Sequence, residues 1–132
     1  MNFPNVPASG NRTLSRFGSN YAALPTVSFV IPNLDHDMHD GSVAAGDSWL
    51  KAHLDGYARW ASTHNSLLIV TWDEDDGTIA NHIPTIFYGQ PVRPGRYRER
   101  ITHYRVLHTL EAAYGLAALG GGGAAPITDV WG

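Results

Sequence analysis

An α/β fold is the class this sequence predicts, on three observations. Residues 67–72 and 83–88 are apolar runs of strand length, closed by Asp73 and Gly89. Two longer segments, from Asp47 or Ser48 to about Ser62 and from Thr102 to Tyr114, repeat apolar residues three and four apart, the period of an amphipathic helix. The linking segments are short and polar. Strands and helices joined in this way form a sheet with flanking helices and place reactive loops at the carboxyl ends of strands.

The elements follow in chain order. Residues 1–23 are rich in Gly, Ser, Asn and Pro without a sustained period, and read as an extended N-terminal arm. Residues 26–31 (Thr-Val-Ser-Phe-Val-Ile) are β-branched and aromatic between Pro25 and Pro32, which predicts a strand. Residues 33–46 form a polar, acidic loop. In the first helix Leu50, Leu54, Tyr57, Ala58 and Ala61 share one face, and His64-Asn-Ser66 breaks it. Residues 67–72 are apolar without alternation, which predicts burial on both faces. Residues 91–100 are a Pro- and Gly-punctuated loop carrying Arg93, Arg96, Arg98 and Arg100, read first as solvated charge and second as a contact for a substrate phosphate. Thr102 caps the second helix and Gly115 stops it. A glycine run, 120–123, precedes a short closing segment.

At 132 residues, with 43% hydrophobic and 16% charged content, the chain suits one globular domain with a core. A net charge of −3 provides no overall attraction to nucleic acid or an anionic membrane. Without cysteine there is neither a disulfide framework nor a thiolate zinc site. Met1 to Asn20 lacks the basic-then-apolar pattern of a signal peptide, and no run of about 18 apolar residues marks a transmembrane helix.

The chemistry lies in two acidic loops, Asn33-Leu-Asp-His-Asp-Met-His-Asp-Gly41 and Asp73-Glu-Asp-Asp-Gly77, each following a predicted strand. Were the strands neighbours, both loops would leave the same sheet edge. A strand that delivers Asp73 and Glu74 to one point creates a repulsion that a divalent cation relieves, and phosphate-ester hydrolysis is chemistry such sites favour. Carboxylates with neutral imidazole suit zinc, manganese or iron. Solvated turns are the competing account, because turns use the same residues. A calcium helix-loop-helix fails on spacing: Asp40 stands where glycine is needed and Pro84 where a bidentate acid is needed. His39, two residues after Asp37, is the foremost imidazole candidate, with His82 next; His36 points away if His39 points in. His103 at a helix start suits phosphate contact or capping. His53, His64 and His108 read as helix-face residues.

Val27-Ser-Phe-Val-Ile-Pro-Asn33, Asp37-Met-His-Asp40, Gly46-Asp-Ser-Trp-Leu50, Thr71-Trp-Asp-Glu74, Asn81-His-Ile-Pro84, His103-Tyr-Arg-Val-Leu107 and Glu111-Ala-Ala-Tyr-Gly115 resemble the C-terminal part of the bacterial phosphoesterase family of acid phosphatases and phospholipases C. The resemblance covers roughly residues 24–131. It implies part of an alkaline-phosphatase-like sandwich, with a central, mostly parallel sheet and flanking helices, incomplete in this chain. It implies a metal-dependent phosphoesterase acting on mono- or diesters, with a divalent metal ion on Asp73, Glu74, Asp37, His39 and His82, and catalytic roles for His39 and His82. Family members are more than twice this long, often exported, and carry the serine or threonine nucleophile in an N-terminal half. Thr13, Ser15 and Ser19 lack the strand-then-helix setting of an activated nucleophile, and none is assigned that role. The resemblance therefore implies a C-terminal portion, residues 24–132, that pairs with a complementary half or a second copy. A non-catalytic remnant or metal-binding interaction module is the alternative.

Overall fold

The computed structural model describes residues 6–120 and 123–132. Helix α1 (Val43–Ala61) packs on the strand pair β1 (Leu67–Thr71) and β2 (Thr85–Gly89), and helix α2 (His103–Ala113) is tied to the C-terminal segment. The composition is thus an α/β mixture. No helix among the described residues is long and apolar enough to cross a membrane.

Helix α1 starts at Ser42, whose Oγ accepts the Ala45 N–H at 3.2 Å, ahead of the Asp47 or Ser48 start that the sequence suggests. Ser42 is as good a cap as either, and two alanines follow Val43, so the helix gains a turn at little cost. Gly46 lies inside that added turn and is buried; a Cβ there would come within 2.6 Å of Met38 Cε. The missing side chain lets the helix lie against the first acidic loop. Further along, Leu54 and Ala61 are 6% and 0% exposed, on the apolar face that the periodicity predicts. Burial of a leucine side chain contributes about 1.5–3 kcal/mol, so Leu54 is a principal anchor of this face.

The strands pair antiparallel, from Leu67↔Gly89 to Thr71↔Thr85. A mostly parallel sheet is the expectation from the resemblance; the one strand pair among the described residues is antiparallel. A parallel neighbour needs a crossover, usually a helix, whereas residues 72–84 run through turns without one. Gly89 is required where it stands: its φ is 150°, and a Cβ would overlap the Ser66 carbonyl oxygen.

Two further expectations change. Leu67 to Val70 are half-buried, not buried on both faces, because a single helix covers one face of a sheet. Residues 26–31 form no strand; Val27, Phe29 and Ile31 are 42%, 75% and 50% exposed. Strand propensity is realised only where a neighbour supplies the ladder, and among the described residues none lies beside this segment.

Residues 6–23 are less extended than an arm. They make three single 3₁₀ turns (Ala8–Gly10, Leu14–Arg16 and Tyr21–Ala23), and Phe17 and Tyr21 set their rings 5.8 and 5.5 Å from Tyr57 of α1. At the other end, Thr102 Oγ1 accepts the Arg105 N–H to cap α2, and Gly115 closes it at φ 64°. The Thr109 hydroxyl accepts the Ile127 N–H at 2.8 Å, and Arg93 N–H donates to the Val130 carbonyl at 2.8 Å. Buried Ile127 and Val130 thereby join α2 to the end of β2, where Trp131 meets Phe87 edge-on at 5.8 Å. Residues 121 and 122 of the glycine run lie outside the described residues.

Candidate functional site

Strand β1 ends at Thr71 and delivers Trp72 into the first acidic loop. The Trp72 indole N–H donates to the Asp37 carbonyl at 3.1 Å, fastening together two loops 35 residues apart. This one bond converts two separate acidic turns into a single rim.

The first loop is wound by its own backbone. The His36 and Asp37 N–H groups both donate to the Asn33 carbonyl at 2.9 Å, and Asp40 N–H donates to Leu34 at the same distance. Asp37 Oδ1 accepts the His39 N–H at 2.9 Å, with Met38 between them at φ 79°, a left-handed conformation uncommon outside glycine. The loop therefore stores strain at Met38, which Gly46 of α1 leaves room to accommodate. The His39 ring sets Nδ1 2.7 Å from Asp40 Oδ1. That hydrogen bond, then the Asp40 charge, holds the imidazole above its ordinary value; partial desolvation opposes this, and the Asp37 and Glu74 charges add to it. His36 is engaged elsewhere, stacked on Trp49 of α1 with its Nδ1 on the Asn33 side chain.

The second loop is organised by Asp75, a residue without an assigned role in the sequence reading. Its Oδ1 accepts the Gly77 and Thr78 N–H groups at 3.0 Å each, and its Oδ2 accepts the His82 N–H at 2.9 Å together with the Thr78 hydroxyl. Asp75 N–H donates in turn to Asn81 Oδ1 at 3.0 Å. The Thr78 hydroxyl bond, with backbone amides of His82, Thr78 and Gly77, holds the Asp75 carboxyl below the usual range against some desolvation. Asp75-Asp-Gly-Thr78 is an Asx-turn signature, so this role was visible in principle. His103, at the first turn of α2, places Nε2 2.9 Å from the Asp73 carbonyl oxygen and braces the loop from a third element.

The structure therefore sorts the candidates. Asp37 and Asp40 hold His39 within the first loop, and Asp73 and Glu74 stand exposed after the end of β1. His82 is positioned through its backbone, and its imidazole makes no hydrogen bond among the described residues. Among those residues no three His, Asp or Glu side chains converge as metal ligands. The donor types suit a divalent ion, but their geometry does not close around one; unopposed carboxylates on a rim repel each other.

The chain belongs to the phosphoesterase family, whose model it matches over residues 7–117. It is similar to the phosphatidylinositol-3-phosphatase of Mycobacterium tuberculosis, at 61% identity across the whole of this chain and 45% of that protein. It also resembles an acid phosphatase of Aspergillus fumigatus and a phosphate-repressible acid phosphatase of Penicillium chrysogenum, each 28% identical over 74% of this chain, covering 23% and 25% of those proteins. The chain thus spans less than half the length of these relatives. No solved structure matches it significantly.

Proposed function

We propose that this chain supplies one wall of a phosphoester-hydrolysing site whose substrates are phosphomonoesters, the phosphate of an inositol lipid headgroup among them. The observation that carries the reading is the Trp72–Asp37 bond, which joins the acidic loops around His39 in a chain of the phosphoesterase family. The names of the three relatives, all phosphatases, support the choice of monoester. In this reading His39, its Nδ1 hydrogen-bonded to Asp40, and His82 divide two roles between them, one imidazole binding the metal and the other giving a proton to the leaving oxygen.

Dependence on a divalent metal ion is part of the proposal, with Asp73, Glu74, Asp37, His39 and His82 as its contributors. The remaining ligands and the nucleophile belong to polypeptide corresponding to the part of the relatives that this chain does not cover. An alkaline-phosphatase-like sandwich with a mostly parallel sheet, of which residues 24–132 form the C-terminal portion, belongs to the same reading. The exposed, strand-like residues 26–31 support it, since their apolar side chains fit a sheet interior.

Hydrolysis of a soluble chromogenic phosphomonoester, measured with the remaining portion of the M. tuberculosis relative added in trans, tests the proposal. Asp73→Asn, Glu74→Gln and His39→Gln should each lower kcat/KM by about a hundredfold or more, the scale of a lost acid or ligand. Asp76→Asn should change it little. Equal losses from Asp73, Glu74 and Asp76 variants would mean a loosely charged turn, and no turnover from a folded complex would remove the enzyme reading.

A further inference from the structure

Four of the nine Lys and Arg residues of this acidic chain fall within residues 93–100. Glu99, the one acid among those residues, is turned to Arg105, with Arg105 Nη2 2.7 Å from Glu99 Oε1. Arg96, Arg98 and Arg100 are exposed and make no side-chain hydrogen bond or ion pair among the described residues. The loop is a cationic island on a molecule whose net charge is −3.

Beside it opens a groove of about 360 Å³, whose lining includes Arg93, Arg96, Tyr97, Ile86, Phe87 and Ile101, with the acids Glu99 and Asp129 also present. Its position ties it to the acidic rim by two routes. Thr85, one of its lining residues, pairs with Thr71, two residues before Asp73. Ile101, in its wall, is followed two residues later by His103, whose ring contacts the Asp73 carbonyl. Cations, an amphipathic tyrosine and apolar side chains therefore line one groove, whose Thr85 and Ile101 belong to segments that pair with or contact the segment carrying Asp73.

We infer that the 93–100 loop docks the protein on an anionic phospholipid surface, with the arginines on headgroup phosphates and the apolar groove toward the lipid. The inference rests on the reading that the substrate phosphate is carried by a lipid. Whole-molecule charge provides no attraction to such a surface, so the docking is local, orients the molecule, and presents headgroups beside Asp73. Arginine suits the task because its planar fork pairs with two phosphate oxygens at once.

Vesicle co-sedimentation tests this without reference to turnover. The protein should sediment with phosphatidylcholine vesicles containing phosphatidylserine, remain in solution with pure phosphatidylcholine, and be released by salt. An Arg96→Gln, Arg98→Gln, Arg100→Gln variant should bind about a hundredfold less well, each cation near an anionic surface being worth roughly a factor of five. The corresponding triple lysine variant, which keeps the charge, should retain most of the binding, and an Arg12→Gln, Lys51→Gln control should bind as the parent does. Equal binding to neutral vesicles, undiminished binding of the triple glutamine variant, or an equal loss in the control would overturn the assignment. Vesicle binding without hydrolysis of a soluble phosphomonoester would keep this inference and remove the proposed activity; hydrolysis without vesicle binding would do the reverse.

Discussion

Replacing Trp72 with phenylalanine removes the link between the two acidic loops while leaving an aromatic ring in place. The lost bond is a half-buried indole N–H to the Asp37 carbonyl at 3.1 Å. Such a bond contributes about 0.5–1.5 kcal/mol net, and the smaller ring gives up further apolar contact at about 25 cal/mol per Å². A global destabilisation of about 1–2 kcal/mol follows, measurable as a lower urea midpoint with an unchanged slope. The local effect is the more informative one. Amide exchange at His39 and Asp40, whose N–H groups are bonded within the first loop, should accelerate about fivefold for each kcal/mol lost locally. If the global midpoint falls while exchange across residues 37–40 stays at the parent rate, the indole is ordinary core packing, and the single-rim account of the site is wrong.

Two further outcomes are expected. A Cβ at position 41 would overlap the Asp35 carbonyl oxygen and stand 2.7 Å from its carbon, both backbone atoms that cannot move aside cheaply; Gly41→Ala should therefore destabilise by about 1–3 kcal/mol and open the first loop. Unchanged exchange at residues 35–41 would refute that. Because hydrogen bonds lower the folded-state value of Asp75, its contribution to stability is fully present above the ordinary carboxylate range and is lost as the pH falls through the lowered value. The order of residues 75–82 should accordingly loosen in acid, and Asp75→Asn should abolish that pH dependence in a thermal-melt series from neutral to strongly acidic buffer.

The local features of this protein were legible because they are short-range. The Thr102 cap, the Gly115 stop, the strand β1 and its Asp-rich end each follow from residues within a few positions of one another. Helix α1 starts earlier than its sequence suggests because adequate caps compete and Gly46 masks the helical period, whereas the glycine's use is close approach to Met38. Residues 26–31 have the composition of a strand, yet strand formation depends on a partner backbone that composition does not specify. In the site, the candidate residues lie in recognisable turns, but beyond its Asx-turn signature nothing in the order of residues separates Asp75 from its three acidic neighbours, whereas the fold gathers four donors on its carboxylate.

By itself, then, the order of residues determined family membership, the secondary elements with local caps and periods, and the two acidic loops as the centre of interest. Only the tertiary structure decided that β1 and β2 run antiparallel, that Trp72 reaches back to Asp37, that His103 braces Asp73, and that the arginine loop shares a groove with β2. The division has a physical cause. Capping, turn chemistry and helical period act over one or two turns of chain, while strand pairing and loop-to-loop hydrogen bonds join groups tens of residues apart, whose meeting depends on how the whole chain packs.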